Sequence, residues 1–297
     1  MVGYHDSWNE WPATAAGQTS LARMPAHVNV VMLSFARPDA VYEGGLDLAR
    51  TGLEYRMSGA VLRDAVAALR ARNPGTRVLL SVGGAAYRRW SGLAMPAIAA
   101  LVRDLGLDGM DIDYEPRNPF CASVDGRISC ATDARWTMIV RESRAALPRP
   151  LLLTASVWSV GAYGEGAFAA AQPRSRYTGF ALPMLRSPLA AELDLLAING
   201  YDAGPTFDPL ESFRAYRAVW PGPLALGIAV RRAGGTGPFP TVAKAEALAR
   251  EVARDRLGGM MLYPLLAMPD GAGPSASGLA GALCRGMGMT GCEAEIP

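Results

Sequence analysis

Apolar residues along the chain alternate between two patterns. Short, nearly continuous apolar runs occur at Val2–Trp8, Val28–Phe35, Arg77–Val82, Gly109–Tyr114, Leu151–Val157, Leu193–Tyr201, Leu224–Val230 and Gly259–Tyr263. Between them lie the stretches Ser58–Arg72, Pro96–Leu105, Asp133–Leu147, Pro209–Val219 and Val242–Arg256, patterned as helices with one apolar face. In the first of these Val61, Leu62, Ala65, Val66 and Leu69 share that face, and Ser58 stands as its N-cap. Strands covered by helices on both faces of a parallel sheet read as continuous apolar runs, because neither face meets water. Eight such runs interleaved with helices in 297 residues predict an α/β fold, a single-domain (β/α)8 TIM barrel. The domain spans residues 1–297, with a short C-terminal tail from about residue 284. An open doubly wound sheet is the competing arrangement, but it usually holds fewer strands. Asp202–Pro209 and Pro269–Gly278, rich in Pro and Gly, read as loops.

The balance of 29 basic against 27 acidic residues leaves no nucleic-acid footprint, and the pairs Arg88-Arg89 and Arg231-Arg232 read as solvated faces. The longest apolar run, Met260–Met268, contains Pro264 and is too short for a bilayer, so no membrane partner is expected. Four cysteines fall in two local pairs, Cys121 with Cys130 and Cys284 with Cys292, without zinc-ligand spacing. Two small disulfide loops are the reading adopted, and with them an oxidising compartment; four free thiols are the alternative. No apolar leader precedes Val2, so a secreted protein would carry Met1 where a leader was removed. Gly286-Met287-Gly288-Met289-Thr290-Gly291 has the spacing of a dinucleotide fingerprint without the strand and helix it needs, and no cofactor is expected. His5 and His27 are far apart, and a surface position is expected for His5.

The chemically informative segment is Asp108-Gly109-Met110-Asp111-Ile112-Asp113-Tyr114-Glu115. Side chains alternate along a strand, so Asp111, Asp113 and Glu115 share one face while Met110, Ile112 and Tyr114 share the other. In a barrel the apolar set packs under the helices and the acids point inward, near the C-terminal mouth where barrel active sites lie. Clustered carboxylates raise one another's pKa, as a general acid working near neutrality requires. A calcium loop needs glycine where Pro116 stands, so no EF-hand is read here; a magnesium site of another kind stays open.

The Asp108–Glu115 segment matches the D-x-x-D-x-D-x-E signature of glycoside hydrolase family 18, the chitinase family. Ser81-Val82-Gly83-Gly84 resembles that family's S-x-G-G motif, Tyr201-Asp202 its tyrosine–aspartate pair, and Gly3-Tyr4 the start of its first strand. The resemblance, which spans roughly Val2 to Leu283, implies a retaining, substrate-assisted hydrolysis of β-1,4-linked N-acetylglucosamine polymers, chitin or chito-oligosaccharides, an exception to the usual two-carboxylate scheme. It implies Glu115 as acid and base, Asp113 holding the acetamido group, Asp111 sharing a proton with Asp113, and Tyr201 donating to the acetamido oxygen. Tyr4, Phe35, Ser81, Gly83, Gly84, Asn199, Asp202 and Tyr263 would shape the sugar site. Asp108, out of register with the acidic face, looks structural. Tyr263 stands where the family usually has tryptophan, and Asn199 where methionine or glutamine is common. Trp8, Trp11, Tyr87, Trp90 and Trp158 are further candidates for stacking on sugars. Two other functions stay open: an endo-β-N-acetylglucosaminidase acting on N-glycans or peptidoglycan-like polymers, and a sugar-binding lectin on the same barrel.

Overall fold

In chain order the elements are β1 (Val2–Asp6), α1 (Ser20–Arg23), β2 (Val30–Ala36), α2 (Gly59–Arg72), β3 (Arg77–Gly83), α3 (Met95–Asp104) and β4 (Gly109–Asp113). A hairpin of β5 (Cys121–Val124) and β6 (Arg127–Cys130) follows, then α4 (Asp133–Ala146), β7 (Leu152–Trp158), α5 (Leu182–Arg186) and β8 (Leu195–Asn199). The chain ends with α6 (Pro209–Arg217), β9 (Leu224–Ala229), α7 (Val242–Val252), β10 (Gly258–Tyr263) and α8 (Ala276–Gly286). This computed structural model describes residues 1–297. Leaving out the hairpin, the strands close in the order β1-β10-β9-β8-β7-β4-β3-β2, every neighbour parallel. This is the single-domain (β/α)8 barrel that the alternating pattern predicts.

Two apolar layers hold it together. Val78, Leu80, Val82, Met110 and Ile112 face outward and pack under the helices, while Val2, Tyr4, Met32, Leu79 and Met261 fill the lumen. Helix α2 buries Leu62, Ala65, Val66 and Leu69 as its periodicity requires, and Ser58 caps it by accepting the Val61 N–H at 3.3 Å. No helix is long and apolar enough to cross a membrane.

Three helices escape the apolar pattern. Helices α1 and α5 are only four and five residues long. Helix α8 is built from Ala and Gly, which blur its periodicity, and the reason is close packing. A Cβ on Gly286 would lie 2.5 Å from the Ala249 Cβ and from the Glu246 carbonyl of α7. The helix therefore runs two residues past the expected start of the tail. The tail then folds back, with Cys292 bonded to Cys284 and the Gly291 carbonyl accepting from His27 at 3.1 Å. Cys121 and Cys130 pair across the hairpin.

Candidate active site

The barrel register stacks the acids in layers. Asp111 lies level with Ser81 on one side and Thr154 on the other; one layer higher, Asp113 lies level with Gly83 and Ser156. The lower layer is closed off from water. Asp111 is fully buried, and its oxygens accept from the hydroxyls of Ser81 at 2.8 Å, Tyr4 at 3.0 Å and Thr154 at 2.6 Å. Burial raises its pKa and those three donors oppose the rise. Its oxygens are thus engaged by hydroxyls.

Asp113 is buried, and its pKa is driven well above the usual carboxylate range, first by desolvation and then by the charges of Glu115 and Asp111. The glycines after β3 make room for it. Gly83 has φ +111°, and a Cβ there would sit 2.3 Å from the Asp113 carbonyl oxygen. The Gly84 N–H donates to that same carbonyl at 2.9 Å, and a Cβ on Gly84 would come within 3.4 Å of both the Asp113 carboxylate and the Phe35 ring. Small residues here are a steric requirement of bringing the β3 loop against the acid.

Glu115 follows two residues beyond Asp113, past the end of β4, with 9% of its surface exposed. Tyr177 fixes the turn behind it by donating to the Pro116 carbonyl at 2.9 Å. Burial raises the Glu115 pKa to about 7, a rise that Arg88 and Arg232 counter and Asp202 reinforces. The carboxyl group opens into a pocket of about 170 Å³ whose wall includes Tyr4, Phe35, Asp113, Trp158, Asn199, Tyr201, Asp202 and Tyr263. The site residues read from the sequence therefore converge on one cavity, with Ser81 beneath it and Gly83 and Gly84 backing Asp113.

Aromatic rings form one side of this pocket. Tyr263 stacks on Tyr201 (centroids 5.5 Å apart, 12° between planes) and meets Tyr4 edge-on at 5.9 Å. Trp8 lies against Phe35 at 6.0 Å. Tyr201 donates its hydroxyl to Asn199 Oδ1 at 3.0 Å, the same oxygen that accepts from Ser156 at 2.9 Å. The Tyr201 hydroxyl is thus engaged by Asn199.

The structure corrects several expectations. Arg232 is half-buried: it pairs with Asp202 and lies over the rings of Tyr201 and Tyr263, at 5.3 and 5.1 Å from their centroids. Arg88 also borders the pocket, from an exposed position in keeping with the solvated face expected of its pair. Each follows a barrel strand at its C-terminal end, and that position was the available signal. His5 is fully buried, bonded to Tyr55 and Ser20 at 2.9 Å each and 3.2 Å from Glu10, so it does not lie at the surface where it was expected. Trp90 packs against Tyr114 in the core, and Trp11 is 80% exposed. Asp108 anchors the base of the barrel, accepting from Arg70 at 2.6 Å and from the Val78 N–H at 2.7 Å. No group of three or more His, Cys, Asp or Glu side chains is placed to hold a metal ion.

Fold and acid ladder together place the chain among barrel proteins built like glycoside hydrolases. It belongs to the glycosyl hydrolases family 18, whose profile matches residues 1–171. A chitinase of Plasmodium falciparum (isolate 3D7) is 34% identical over 132 residues, which cover 40% of this chain and 33% of that protein. Exochitinase 1 of Streptomyces olivaceoviridis is 26% identical over 227 residues, 69% of this chain and 36% of that protein. The chain spans about a third of the length of these curated relatives. Among solved structures, a glutamate-to-glutamine variant of the class V chitinase of Nicotiana tobaccum, in complex with NAG4, shares the fold. Its TM-score is 0.60 at 14% identity, covering 97% of this chain and 98% of that one.

Proposed function

We propose that the protein is a retaining glycoside hydrolase that cleaves β-1,4-linked N-acetylglucosamine chains, chitin or chito-oligosaccharides, by substrate-assisted catalysis. One observation carries the reading: Glu115 stands at the mouth of the acid ladder, buried enough to keep its proton to about pH 7, and faces a pocket walled by aromatic rings. A carboxylic acid that is still protonated near neutrality can donate to a leaving glycosidic oxygen. As that C1–O bond breaks, the acetamido oxygen of the same sugar bonds to C1 and an oxazolinium cation forms. Glu115, now a carboxylate, takes a proton from the water that attacks C1, which opens the ring and restores the acid with β-configuration retained.

Asp113 accepts from the acetamido N–H. Burial makes a charge on Asp113 costly, so the cation that develops on the substrate stabilises it most in the transition state. Asp111, held by three hydroxyls, positions Asp113 from below. Tyr201 turns its hydroxyl from Asn199 to the acetamido oxygen, and Tyr263 provides the face on which the sugar rests. The NAG4 complex of the tobacco chitinase and the names of the relatives support an N-acetylglucosamine chain as substrate. Two disulfides fit an oxidising compartment, and we take the protein to be secreted.

Product analysis on chitotetraose and on a high-mannose glycopeptide, for wild type and Glu115→Gln, tests this reading. Wild type is expected to release short oligomers with a β-anomeric end, and the variant to bind chitotetraose with little turnover. Equal rates for the two proteins would remove Glu115 from the mechanism. Binding without turnover by wild type would leave a lectin, and release of intact N-glycans alone would make it an endo-β-N-acetylglucosaminidase.

A further inference from the structure

The pocket over Asp113 continues into a second, larger cleft of about 620 Å³, within the roughly 300–1,000 Å³ typical of small-molecule sites. The two cavities share Arg88, Trp158 and Asp202. Loops after β3, β4, β7, β8 and β9 enclose the second one, so it lies on the same C-terminal face of the barrel. Trp158 stacks there on the buried Tyr177 ring, centroids 3.8 Å apart and 5° between planes, so that the indole is held flat as a face suited to a pyranose ring.

The charge of this cleft is unbalanced. Arg88, Arg117, Arg174 and Arg176 line it, against the single carboxylate of Asp202, which is already paired with Arg232. The chain as a whole carries a net charge of only +2, so the concentration is local. None of these four forms an ion pair with an acid, in contrast to Arg144, which pairs with Asp194 at 2.7 Å, and Arg217, which pairs with Asp255 at 2.6 Å; what sets the four apart is that they share one cleft. Two of them are instead steered by backbone oxygens: Arg176 donates to the Arg117 carbonyl at 2.9 Å, and Arg174 to the Ala169 carbonyl. A guanidinium has five N–H donors, so most of this donor capacity is left uncommitted. Four like charges in one cleft repel each other unless an anion relieves them. A neutral sugar brings hydroxyls but no such relief, whereas a carboxylate accepts two N–H bonds from a guanidinium in matched geometry.

We infer that the preferred substrate is an N-acetylglucosamine glycan bearing carboxylate groups, and that this cleft holds the carboxylate-bearing sugar next to the one over Asp113. The inference rests on the hydrolase reading above and narrows its substrate class. Carboxymethyl chitin and neutral glycol chitin of matched length are the probes, with wild type compared against the triple variant Arg117→Gln, Arg174→Gln, Arg176→Gln. Wild type is expected to show a higher kcat/KM on carboxymethyl chitin at low salt. That preference should shrink as added salt shortens the screening length. The triple variant is expected to lower the ratio of the two kcat/KM values by about tenfold, the joint effect of three solvent-exposed charge pairs. An unchanged ratio in an active triple variant overturns the inference and leaves the hydrolase reading intact. If wild type turns over neither polymer, the hydrolase reading fails. The inference is then judged on equilibrium binding of the same two polymers, where an equal affinity ratio for wild type and variant refutes it.

Discussion

Glu115→Gln is expected to disable the chemistry and, at the same time, to stabilise the fold in a pH-dependent way. The side chain is buried, its pKa lies at about 7 instead of the ordinary 4.5, and the causes are burial and the fields of Arg88, Asp202 and Arg232, with no hydrogen bond among them. Glutamine therefore forfeits no bond while removing a charge the site disfavours. In the unfolded chain Glu115 ionises near its ordinary value, whereas the folded protein holds the proton up to about pH 7. Between these limits the folded state binds more protons, so stability falls as pH rises. The gap from 4.5 to about 7, at about 1.4 kcal/mol per pH unit, amounts to roughly 3 kcal/mol. The variant lacks this titration. It should match wild type at pH 4 and exceed it by roughly 3 kcal/mol at pH 8, with some addition because Asp113 loses its charged neighbour. Urea denaturation of both proteins across that range measures the difference, and other groups largely cancel in the comparison. The kcat should fall by about 10²- to 10⁴-fold, the usual worth of a positioned acid. Parallel stability profiles for the two proteins would refute the buried-acid reasoning even if activity were lost.

Three further outcomes are expected. Arg88 is the largest of the charges that hold the Glu115 pKa down, so Arg88→Met should move the basic limb of kcat/KM, near pH 7 in wild type, to higher pH; a pH–rate profile with an unmoved limb would contradict this. Gly83→Ala forces a side chain into φ +111° and to within 2.3 Å of the Asp113 carbonyl, and should cost about 1–3 kcal/mol for the backbone alone, read from the urea midpoint, together with a fall in kcat as Asp113 shifts. Removing the Cys121–Cys130 bond by Cys121→Ser/Cys130→Ser opens a loop of sequence separation 9, and should cost up to roughly 3 kcal/mol in the denaturation of non-reduced protein, with no effect expected once both proteins are reduced.

Much of the architecture was legible because parallel strands buried on both faces leave an apolar imprint that owes nothing to tertiary detail. Met110, Ile112 and Tyr114 read as outward-facing and Asp111, Asp113 and Glu115 as inward-facing from alternation alone. Residues whose role depends on their neighbours were harder to read. Arg232 is an ordinary surface type by composition, and only the path of the loop after β9 brings it over Tyr201. His5 sits on β1 in an apolar setting, and its partners Tyr55, Ser20 and Glu10 come from segments with no strong pattern. Helix α8 was hidden by the alanines and glycines that let it approach α7. In each case the determining contact joins residues distant in sequence, beyond the reach of local periodicity.

The first strand is also the seam of the barrel: Val2 pairs with Val30 on one side and with Met261 on the other. The second pairing joins opposite ends of the described chain, so the ring cannot shut until β10 has formed. Loop-closure entropy makes such distant pairings late events in folding. Tyr4 and Tyr263, which flank this seam, meet at 5.9 Å in the sugar pocket. A partly folded chain thus has its acid-bearing strand but no complete wall for a glycan to rest on. Recovery of oligosaccharide binding during refolding consequently times the shutting of the ring, whereas recovered helix signal reports only the earlier pieces.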